Sequence, residues 1–120
     1  MRRIAAATAL QSYYDSLYSE EHEEKPAKDP FMESLIHGTL DRLEKIDELM
    51  AKHSANWKVE RMPAVDRNII RLAIYEMLSG STPPPVVIDE ALDLTRRFSG
   101  DESVSFVNGV LDAVRKELSR

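Results

Sequence analysis

Cysteine is missing from the 120-residue chain. Disulfides and thiolate chemistry are thereby excluded, and a reducing cytoplasm suits the composition. No apolar run approaches the roughly 18 residues that a membrane-spanning helix needs. The opening stretch MRRIAAATALQSYYD has two arginines and several small apolar residues, but Thr8, Gln11, Ser12 and Asp15 break the apolar stretch that a signal peptide requires. Glycine numbers only four, and no Gly-rich phosphate loop is present. His22, His37 and His53 are far apart, and none has a metal-ligand partner of the right type at i+3 or i+4, so no metal site is expected. Ser-His-Asp arrangements are also lacking, so no catalytic residue, no cofactor and no enzymatic activity are expected. Positive charge is in deficit too: 16 Lys and Arg face 21 Asp and Glu, a net charge of −5. That balance argues against binding nucleic acid by bulk charge alone.

What is present suits one globular domain, with 42% apolar and 31% charged residues. Part of the negative charge is local. SEEHEEKPAKD, residues 19–29, holds five acids against two lysines and reads as a solvated connector. Elsewhere arginines recur in pairs, at Arg2/Arg3, Arg67/Arg71 and Arg96/Arg97.

Helical periodicity runs through nearly the whole chain. Leu10, Tyr13, Tyr14 and Leu17 share one face of a first helix. Asp29-Pro30 reads as an N-cap followed by a first-turn proline. From there Met32, Leu35, Ile36, Leu40, Leu43, Ile46 and Met50 predict one long helix to about His53, roughly 36 Å at 1.5 Å per residue. Trp57, Val59 and Met62 suggest a short helix ending at Pro63. Val65, Ile69, Leu72, Ala73 and Met77 define the next, and Ile70 and Ile74 widen its stripe enough to predict a central position. SGSTPPP, residues 79–85, is a proline-rich break. Beyond it Val87, Ile88, Ala91, Leu92, Thr95 and Phe98 give an amphipathic helix that Ser99-Gly100 stops. Asp89/Glu90 and Asp101/Glu102 read as first-turn acids favoured by the helix dipole. The fold class is therefore all-α, with about seven helices.

SVSFVNGVLDAV, residues 103–114, poses the one local conflict. Asn-Gly between apolar residues is a hairpin signal, and Gly inside a helix costs about 1 kcal/mol relative to Ala. A hairpin here would have no sheet to join, and alone it would be marginal. Phe106, Val107, Val110, Leu111 and Val114 instead make one helical stripe, which places Asn108-Gly109 inside a helix. Close approach of another backbone, or of a ligand, is the usual reason for a glycine there, and packing is the expected one for Gly109.

FVNGVLD at 106–112 resembles the C-terminal signature of the NusB family of bacterial transcription antitermination factors. Four more stretches follow the family's order: ALQSYY (9–14), NWKVERM (56–62), VDRNIIRLAIYEM (65–77) and VVIDEALDLTRRFSG (86–100). Together they cover most of the chain apart from the acidic connector. The resemblance implies two small helical subdomains and a non-enzymatic, cytoplasmic RNA-binding protein. Its implied partners are boxA RNA, the ribosomal protein NusE and the RNA polymerase antitermination complex, notably on ribosomal RNA operons.

Carried over position by position, the resemblance implies RNA contacts from Arg2, Arg3, Gln11, Tyr14, Phe98, Phe106, Asn108 and Gly109. Basic side chains would meet phosphates, aromatic rings would stack on bases, and Asn108 offers both a donor and an acceptor. For Tyr14 and Phe106 a place in the core is the alternative, since Phe106 belongs to the apolar stripe. Asp66 falls on the helix the family presents to NusE, with Arg67 and Arg71 beside it; helix-end and salt-bridge roles are the alternative for all three. One departure stands out. The family's first helix usually carries a further Arg-Glu before its Gln motif, where this chain has Ala6 and Ala7, and the chain starts late for the family. Weaker RNA affinity alone and greater reliance on NusE are expected. Two other readings stay open: a self-associating helical protein, forming a homodimer with little RNA affinity, and a stand-alone relative of the RNA-binding part of ribosomal RNA cytosine methyltransferases.

Overall fold

The computed structural model of the protein describes residues 30–54, 62–80 and 82–119. Among these residues there are five helices and no strand: α1 Pro30–Asp41, α2 Leu43–His53, α3 Ala64–Ser79, α4 Pro84–Phe98 and α5 Asp101–Leu118. The expected all-α class holds. The remaining two expected helices, around residues 10–17 and 57–62, fall almost wholly outside the described residues, as does the acidic connector at 19–29.

α3 is central, as its wide apolar stripe predicts. Ile69, Ile70, Leu72, Ala73, Ile74 and Met77 are all buried, and the helix packs against each of the other four. Around it, Ile46, Leu49 and Met50 from α2, Val87 and Ala91 from α4, and Val107, Val110, Leu111 and Val114 from α5 form one apolar cluster. Burial of each such side chain contributes about 1.5–3 kcal/mol, which is what holds short helices that would be marginal alone. α1 adds the buried Leu35 and Ile36. The expected N-terminal helix, on which the implied second subdomain depends, lies outside the described residues.

The long helix expected over residues 30–53 is two helices, broken at Arg42 (φ −114°, ψ 17°). The Arg42 amide reaches back only to the Thr39 carbonyl at 3.3 Å, and the ladder resumes with Ile46 N–H on the Arg42 carbonyl at 2.9 Å. Thr39 is the local cause. Its hydroxyl donates to the Leu35 carbonyl at 2.6 Å, a side-chain bond that competes with the helical ladder and bends it.

The proline break is shorter than the sequence suggests. Ser79 is still helical, and Gly80 closes α3 in the left-handed region (φ 71°), its amide on the Glu76 carbonyl. Pro84 and Pro85 are already in the first turn of α4, where their missing N–H groups have no intrahelical acceptor to lose. Only residues 80–83 separate the helices. Because α4 starts this early, its first turn holds no acid and Asp89 and Glu90 lie further in; Asp101 and Glu102 do occupy the first turn of α5. Two stripe residues at helix ends are also exposed, Val65 at 42% and Phe98 at 53%.

α1 and α3 meet through Gly38, whose Cα lies under the ring of Tyr75, so that a methyl group there would overlap the ring. Helix propensity favours Ala over Gly by about 1 kcal/mol, but overpacking costs about 1–3 kcal/mol. Gly38→Ala is expected to lower the denaturation midpoint, and Gly38→Val to lower it further. A midpoint raised by Gly38→Ala would contradict this contact.

Candidate nucleic-acid and partner interface

α4 ends in a basic turn. Arg96, Arg97 and Phe98 are all exposed, and the two arginines sit where the helix dipole favours positive charge. Arg97 pairs with Asp93 one turn back at 3.3 Å. The amides of Ser99 and Gly100 both donate to the Thr95 carbonyl, at 2.8 and 3.1 Å. Thr95 is itself buried, its hydroxyl on the Ala91 carbonyl at 2.8 Å. Gly100, at φ 122°, makes the reversal into α5, a conformation that disfavours any side chain. The corner thus exposes one large ring next in sequence to two arginines. An aromatic face and adjacent cations can hold a base and its phosphate.

α5 continues that surface. Its inward stripe, Val107, Val110, Leu111 and Val114, is buried, and Asn108 and Gly109 point outward, exposed. Asn108-Gly109 is inside the helix, which resolves the conflict between hairpin and helix. The expected close packing at Gly109 is not found: a Cβ there would meet nothing within 4 Å. Gly109→Ala is therefore expected to stabilise the fold by about 0.5–1 kcal/mol. If RNA approaches this surface closely, the same substitution lowers RNA affinity, so a melt and a titration on one variant separate the two effects. Phe106 is half-buried against the core cluster.

Ion pairs brace the far end of α5. Arg115 and Lys116 hydrogen-bond Asp112, at 2.6 and 3.2 Å, and hold its carboxyl below the ordinary aspartate range. Lys52 and His53, from the end of α2, do the same to Glu117.

The residues expected to meet a protein partner divide. Asp66, in the first turn of α3, is only 2% exposed, and its Oδ1 accepts the Ser99 hydroxyl from the end of α4. Arg67 is half-buried. Arg71 is 1% exposed and lies inside the fold. Its Nε and Nη2 form a fork on both carboxylate oxygens of Asp47, at 2.8 and 2.9 Å, and its Nη1 donates to Asn68 Oδ1 at 3.2 Å. Arg71 is thus a strut between α2 and α3, the salt-bridge alternative, and not a surface group.

Of the expected RNA residues, Arg2, Arg3, Gln11 and Tyr14 lie outside the described residues. Phe98, Phe106, Asn108 and Gly109 fall on the α4–α5 corner and the α5 helix that leaves it. Sequence reasoning did not assign Arg96 and Arg97 to this surface, although the doublet beside Phe98 was the available signal. It also missed Ser99 and Asp47, whose partners are 33 and 24 residues away. Among the described residues no His, Cys, Asp or Glu group could hold a metal ion, and no helix is long and apolar enough to cross a membrane.

The profile of the NusB family matches residues 1–116. The chain is 56% identical over 117 residues to the transcription antitermination protein NusB of Solibacter usitatus, a match covering 98% of this chain and 78% of that one. It is 40% identical over 130 residues to the NusB of Bacillus subtilis, covering 99% and 98%. Among solved structures, T. maritima NusB aligns with a TM-score of 0.81 at 32% identity, over 97% of this chain and 89% of that one. A crystal structure of the antitermination factors NusB and NusE in complex with dsRNA aligns with a TM-score of 0.74 at 25% identity, over 97% and 96%.

Proposed function

Because the chain belongs to the NusB family of transcription antitermination proteins, we propose that it binds boxA-type single-stranded RNA together with NusE. On this reading the pair joins the RNA polymerase antitermination complex in the cytoplasm, notably on ribosomal RNA operons. The work is binding, not catalysis. The observation that carries the RNA surface is Phe98, an aromatic ring 53% exposed at the end of a turn that also exposes Arg96 and Arg97. A soluble domain gains nothing for stability by leaving such a ring in water, whereas base stacking uses it. Asn108 and Gly109 extend the contact along α5. Asp66 and Arg67, at the start of α3, are assigned to NusE, and Arg71 supports that helix from within.

Fluorescence anisotropy of labelled boxA RNA tests this reading. The protein is titrated alone and with its cognate NusE, against a scrambled RNA of the same length. Tighter, sequence-selective binding in the presence of NusE is expected. Equal binding to both RNAs, or none, would overturn it, and a stable dimer by light scattering would then favour self-association. Arg2→Ala combined with Arg3→Ala should weaken binding and flatten the log–log salt slope by about 1.4, at roughly 0.7 per lost phosphate contact on a single strand. An unchanged slope would remove both arginines from the interface.

A further inference from the structure

Asp66 presents a contradiction that the structure itself resolves. It is the acid assigned above to the protein partner, yet its side chain is almost wholly buried, with 2% exposure. Its Oδ1 accepts the hydroxyl of Ser99, a residue that is itself exposed. That hydroxyl is not needed to end α4. The backbone amides of Ser99 and Gly100 already satisfy the helix end by bonding the Thr95 carbonyl. The Ser99 side chain can therefore change rotamer, a rotation about one bond, with the corner left intact.

We infer that Ser99 is a latch on the partner site: an internal donor that occupies the Asp66 carboxylate until a cationic or N–H donor of a protein partner displaces it. The exchange has a built-in preference. The serine hydroxyl is a neutral donor to the carboxylate, whereas Lys or Arg in the same place adds a full opposite charge to the hydrogen bond. A partner offering Lys or Arg gains on replacing the serine hydroxyl, whereas one offering a neutral hydroxyl exchanges like for like. Ser99 thus sets both affinity and selectivity for basic partners, the second by making the wrong exchange unprofitable. The adjoining residue is Phe98, so opening the latch takes place beside the ring assigned to RNA.

This inference rests on the assignment of Asp66 to NusE, and the experiment separates the two. NusE binding is measured by calorimetry for the parent and for Ser99→Ala, Ser99→Gly, Ser99→Thr, Asp66→Ala and the double variant Ser99→Ala/Asp66→Ala, each checked for helical content. Loss of the hydroxyl in Ser99→Ala and Ser99→Gly is expected to tighten NusE binding about five-fold. Ser99→Thr, which keeps a hydroxyl, should bind within two-fold of the parent. Asp66→Ala should weaken binding, and Ser99→Ala should add nothing in that background. If Asp66→Ala weakens binding but the hydroxyl-free variants bind no tighter than the parent, the latch is wrong and the partner assignment stands. If Asp66→Ala binds NusE like the parent, the assignment fails and the latch with it.

Discussion

Arg71→Ala is expected to lower stability by about 3 kcal/mol, the largest loss for any single side chain outside the apolar core. Removing one member of a buried ion pair costs about 3–5 kcal/mol, because the other is left desolvated and unpaired. The low end applies here because Asp47 keeps 28% of its side-chain exposure and can recover some water. The guanidinium also supplies a donor to Asn68, itself buried at 1% exposure, so the substitution removes that bond together with the fork on Asp47. In a domain of this size the loss corresponds to a fall in Tm of about 10–15 °C. Arg71→Lys should recover less than half, since an ammonium cannot reproduce a planar fork on both carboxylate oxygens. Chemical denaturation of the parent and both variants gives the values. A loss below about 1 kcal/mol for Arg71→Ala would show that the fork contributes no more than a surface pair.

That arginine also shows where reading the sequence stops. Its type and its place on an apolar helix were visible, and a cation amid Ile69, Ile70, Leu72 and Ala73 invites a search for a function. What the one-dimensional pattern lacks is the partner, because Asp47 belongs to another helix 24 residues away. Asp66 and Ser99 pose the same difficulty at 33 residues. Apolar spacing, by contrast, is a local property, and it placed α3 at the centre and Asn108-Gly109 within α5 without any knowledge of contacts. The errors at element ends have local causes too. Thr39 bonds its own helix and divides the expected long one at Arg42, and Pro84 and Pro85 join α4 because its first turn asks no N–H of them. For the interface, the family resemblance supplied the positions, and burial then sorted them into those that face out and those that do not.

Phe98 and Phe106 make that sorting testable, because both are proposed for the RNA surface and the structure treats them differently. Phe98 is 53% exposed at the end of α4, so Phe98→Ala gives up little burial and should change stability by no more than about 0.5 kcal/mol. Its cost falls on binding. Loss of one stacked base is worth about 1–3 kcal/mol, so the affinity of the protein with NusE for boxA RNA should drop roughly ten-fold or more. Phe98→Trp, which keeps a stacking face, should retain most of it. Phe106 packs against the core cluster as a half-buried ring. Phe106→Ala should therefore cost about 1–2 kcal/mol of stability, less than the 3–5 kcal/mol of a fully buried Phe. Measured side by side, one variant shifts the titration and not the melt, and the other shifts the melt. Should Phe98→Ala bind boxA RNA with NusE as tightly as the parent, the exposed ring is not a stacking platform, and the RNA surface has to be sought along the outer face of α5.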